Sequence, residues 1–90
     1  YLYKIKEELP MEVFCVMYYV GGRGEELWSI YHNSVKAYEA AEEYCDFTKD
    51  DKHTPKVFPQ VVTLEEASYS WKQNYLNPGD FFVQRMEVRE

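Results

Sequence analysis

The sequence predicts an α+β domain: a three- to four-stranded, mostly antiparallel sheet with one amphipathic helix packed on a face and a second helix beside it. Three observations carry that expectation. Residues 12–20 (EVFCVMYYV) are apolar at both alternating sets of positions. The glycine-rich GGRG at 21–24 separates this run from a second strand-like stretch, ELWSIYH at 26–32. Residues 35–47 then divide into an apolar and a charged half at helical spacing.

Each element follows in chain order. YLYKIK at 1–6 is short and β-prone, fit to pair at a sheet edge, and Glu7, Glu8 and Pro10 break it. In the 12–20 run, Val13, Cys15, Met17 and Tyr19 fall on one face and Phe14, Val16, Tyr18 and Val20 on the other. A strand apolar on both faces belongs in the centre of a sheet, or is covered on both sides. The glycines that follow tolerate the positive φ of a tight hairpin turn, so 26–32 reads as the returning strand. Asn33 or Ser34 is a suitable helix cap. On the helix that follows, Ala37, Tyr38, Ala40, Ala41, Tyr44, Cys45 and Phe47 occupy one half of the wheel. Lys36, Glu39, Glu42, Glu43 and Asp46 occupy the other. Residues 48–59 are polar with two prolines and read as a loop. Residues 57–62 fit a short strand that Pro59 confines to an edge. Thr63 and Glu66 have the spacing of a capping box, which predicts a second helix over 64–75. Asn77-Pro78-Gly79-Asp80 is a turn sequence, and 80–88 (DFFVQRMEV) closes the chain as a strand.

Ninety residues make one domain, 1–90, with no internal repeat or low-complexity tract. A chain this short buries roughly 60–65% of its unfolded surface, so its stability is expected to be marginal. Its 46% hydrophobic content excludes a disordered class. The longest apolar run, 13–20, is far shorter than the roughly 20 residues of a membrane span. The numbered sequence opens without a secretory-signal pattern and with Tyr1 rather than Met, as expected of a processed or trimmed chain. The two cysteines, Cys15 and Cys45, are too few for a disulfide scaffold and read as buried thiols in a reducing, cytoplasmic compartment.

The chemistry-bearing residues form no recognised catalytic pattern. The glycine loop is followed by Glu25 and Glu26 rather than the Lys-Ser or Lys-Thr of a phosphate loop. Cys15, His32, Cys45 and His53 lack the close pairs that anchor a structural zinc, so no metal or cofactor is expected. Cys15 and Cys45 sit on apolar faces, where a thiol is inert rather than activated. Adjacent carboxylates such as Glu7/Glu8 and Glu65/Glu66 point apart and read as solvated surface. The expectation is a protein that is not an enzyme.

Two compositional features point instead to binding. The formal charge is −6, a field that repels phosphate backbones and attracts basic surfaces. Glu39, Glu42, Glu43 and Asp46 share one helix face, with Asp50 and Asp51 just beyond, offset only by Lys36 and Lys49. Like charges at these spacings cost a helix a few tenths of a kcal/mol per pair. They also lie toward its unfavourable C-terminal end. This stripe reads either as an ordinary solvated face or as a docking stripe for a basic protein. The second feature is an aromatic content of 18%, more than a core of this size takes. Tyr18, Trp28, Tyr31, Tyr69, Trp71 and Tyr75 are the candidates for interface anchors. Basic residues are too few among them for stacking on nucleic acid.

The stretch FCVMYYVGGRGEELWSIYHNSVKAYEAAEEYC resembles a strand–hairpin–strand–cap–helix pattern, with a helix opening K-A-x-x-A, seen in small proteins of phages and mobile elements. In size, acidity and tyrosine content the chain is similar to phage-encoded anti-CRISPR and anti-restriction inhibitors. That resemblance implies a partner protein, an enzyme whose nucleic-acid-binding surface the chain would occupy, with no direct contact to nucleic acid or membrane. A homo-oligomeric accessory protein, such as a homodimer that buries its aromatics against itself, is the alternative, and a small enzyme the third reading.

Overall fold

A computed structural model describes residues 11–22 and 24–88. The strand expected over 1–6 lies outside the described residues. Strands β1 (Met11–Gly21) and β2 (Gly24–Tyr31) form the hairpin, followed by helix α1 (Ser34–Thr48), a short strand β3 (Val62–Thr63), helix α2 (Tyr69–Tyr75) and strand β4 (Phe81–Val88). The sheet order is β2-β1-β4-β3. The run that is apolar on both faces is therefore an inner strand, antiparallel to both neighbours.

α1 covers one face of β1, and on the other Tyr19 is covered by Trp71 of α2 and the segments that flank that helix. Phe14, Val16 and Tyr18 point to one face, where Phe81 and Val83 of β4 join them under Ala37, Ala40 and Ala41 of α1. The three alanines let the helix axis approach the sheet closely. Tyr19, with Phe82 of β4, points to the other face, against Ala67, Leu76 and Trp71. The fold thus has three layers: α1, the sheet, and α2 with the loop that precedes it.

Turn chemistry fixes the connections. Gly21 pairs with Gly24 across a two-residue loop, and Gly21 and Gly22 have φ of +99° and +58°. At 77–80, Asp80 N–H donates to the Asn77 carbonyl at 2.9 Å, with Pro78 and Gly79 (φ +97°) between them. That is a type II turn with proline and glycine where its dihedrals demand them. The Asp80 carboxylate, only 1% exposed, accepts from the backbone N–H groups of Lys56 and Asn77 at 3.2 and 2.9 Å.

Two expectations need correction, and the sheet, mostly antiparallel as expected, has one parallel pair. The 57–62 strand reduces to a single bridge, Val57 to Phe81, and the two residues of β3. A bend at Pro59 and Gln60 interrupts it. The pairing of β3 with β4 is parallel, so the sheet is mixed. A parallel pair needs a long crossover, and the α2 segment supplies it. The second helix does not start at Leu64. The capping-box bonds do form, Glu66 N–H to Thr63 Oγ1 at 3.2 Å and Thr63 N–H to Glu66 Oε1 at 2.8 Å, but they close an isolated turn. Ser68 is extended (φ −73°, ψ 170°), and its hydroxyl accepts from Trp71 N–H, starting α2 afresh. A serine that bonds forward to the backbone competes with helix continuation.

Candidate functional site

α1 begins because Asn33 is extended and its side-chain oxygen accepts from the N–H groups of Val35 and Lys36, at 2.7 and 3.3 Å. Once the alanine face is docked, helical geometry turns Glu39, Glu42, Glu43 and Asp46 outward, and all four are exposed. Asp50 and Asp51, also exposed, continue the acidic surface beyond the helix end. Asp50 Oδ1 accepts from the N–H groups of Lys52 and His53, both at 2.8 Å, which turns the chain back beside α1. The only ion pair found for the stripe among the described residues is Lys49 with Asp46, at 4.0 Å and well exposed. Such a contact neutralises little. A groove of about 420 Å³ runs along the stripe, lined by Glu42, Cys45 and Asp46 on the helix side and by Pro55, Lys56 and Val57 opposite.

Phe47 belongs to this surface. It was expected on the apolar half of the helix, yet it is 85% exposed. At about 100° per residue it falls nearly in line with the buried Ala40, seven residues earlier, and next to Glu43, four residues earlier. The buried residues of α1 end at Ala41, so a residue of its last turn is exposed even on that line. Val35, 61% exposed, lies on the same outward side as Asp46 and Glu39.

The six aromatic candidates divide into three groups. Tyr18 and Trp28 are half-buried under α1, packed with Tyr44 and Phe81 at ring-centroid distances near 5 Å. The Trp28 indole N–H donates to Glu26 at 3.2 Å. Tyr31 is half-buried at the margin of the same cluster. Trp71 is half-buried in the layer on the far side of the sheet, edge-on to Phe58 (4.9 Å) and Phe82 (5.5 Å). Tyr69 and Tyr75 are exposed on that layer. The structure therefore does not bring the acidic stripe together with Tyr69, Trp71 or Tyr75: the sheet lies between them.

Neither cysteine is poised as a nucleophile. Burial pushes the Cys15 thiol up, and its Sγ faces Met86 Sδ at 3.8 Å. Burial, then the negative charges of Asp80, Asp46 and Glu42, push the Cys45 thiol up to about 11. Both are free thiols. Among the described residues no group of three or more His, Cys, Asp or Glu side chains is arranged to hold a metal. No helix among them is long and apolar enough to cross a membrane.

Lys72 is the residue that sequence reasoning placed least well. By sequence it is one of the few scattered basic residues near the aromatics, with Arg23 and Arg85, yet it is 7% exposed. Its ammonium donates to both oxygens of Glu25, at 2.8 and 2.7 Å. No spacing rule could pair residues so far apart in the chain. Set beside protein-family profiles, curated proteins and solved structures, the chain matches none, so its own geometry carries the functional reading.

Proposed function

We propose that the chain is a non-enzymatic protein-binding module whose α1 face docks on a basic surface of a larger protein. The observation that carries this reading is the outward carboxylate stripe of Glu39, Glu42, Glu43 and Asp46, continued by Asp50 and Asp51, with Phe47 exposed at its edge. An acidic field steers association with a basic partner, and an aromatic ring at its margin supplies the apolar anchor that charge alone lacks. The surface suited to it is one that otherwise binds a nucleic-acid backbone, because both present closely spaced negative charge. An inhibitor of the anti-CRISPR type, competing with nucleic acid for a cytoplasmic host enzyme, is the specific form of this proposal.

The test is capture from a lysate of the native host on immobilised protein. The expected catch is a nucleic-acid-binding protein released by salt and by competing DNA. Reversing Glu39, Glu42, Glu43 and Asp46 to Lys should abolish that capture, and Phe47→Ser should weaken it. Undiminished capture by the charge-reversed protein would sink the proposal.

A second reading rests on β2, which ends the sheet among the described residues, with Leu27 and Ile30 each about half exposed. An open strand edge can pair with a second copy. Against it, the register shifts opposite Val16 and Met17, an irregularity that twists an edge away from partners. Light scattering at high concentration separates the two, since a strict monomer excludes self-association.

A further inference from the structure

No further inference is drawn: the strongest candidate, the cleft that Phe58, Val62, Glu66 and Trp71 line on the side of the sheet away from α1, is an unpartnered apolar face, and nothing in the structure shows what covers it.

Discussion

At the residue scale, Gly79 shows how one backbone angle and one neighbour act together. Its φ of +97° is disfavoured for any side chain, and a Cβ there would run into the His53 imidazole. Gly79→Ala is therefore expected to cost about 2 kcal/mol, seen as a lower urea midpoint at unchanged slope. Gly22→Ala, with φ +58° and open space around it, should cost no more than about 1 kcal/mol. Cys45 makes the residue-scale pH prediction. Its folded-state pKa, about 11, is raised above the ordinary value of 9.0. The unfolded thiol therefore ionises first as pH rises. The stability tied to the neutral thiol is fully present below about pH 9 and is lost as pH climbs toward about 11. Cys45→Ala should flatten that part of a plot of unfolding free energy against pH. An unchanged slope would mean the thiol is not protected. That Cys45 sits on an inward helix face was legible from spacing. That Asp80 adds to its burden was not, because the two residues meet only after the 77–80 turn is docked.

At the element scale, the helices divide the legible from the illegible. α1 was readable nearly to its ends, because one cap residue and the spacing of Ala37, Ala40, Ala41 and Tyr44 agree with the packing that results. Asn33→Ala should lower stability by about 1 kcal/mol, measurable by chemical denaturation. α2 was misjudged at its start because the Thr63 and Glu66 bonds are local and identical in a turn and in a helix. What separates the two outcomes is Ala67, drawn into the core at 7% exposure, and Ser68, which leaves helical dihedrals to cap the next segment. Phe47 is the complementary case: an apolar residue on a readable helix whose exposure depends on how far along the helix the packing extends.

For the whole molecule, Lys72 and Glu25 tie the α2 layer to the hairpin. With side chains 8% and 27% exposed, the pair is shielded enough that losing one partner matters. Lys72→Met should cost about 2 kcal/mol, less than full burial of both charges would imply. Replacing both, Lys72→Met with Glu25→Leu, should recover most of that loss. A double variant no more stable than the single one would show that the pair contributes little beyond packing. The same layering keeps the acidic face of α1 and the aromatic cluster around Trp71 on opposite sides of the sheet.

By itself the sequence determined the α+β class, the hairpin, α1 and the acidic stripe, because each rests on residues within one or two turns or strands of one another. Only the tertiary structure decided that the central strand is covered by α1 on one face and by the Ala67–Leu76 layer at Tyr19 on the other, that β3 runs parallel to β4, and that the aromatics part into a cluster under α1 and a second one around Trp71 beyond the sheet. The physical reason is that alternation along a strand says a side chain is buried. What covers it is settled by elements distant in the chain.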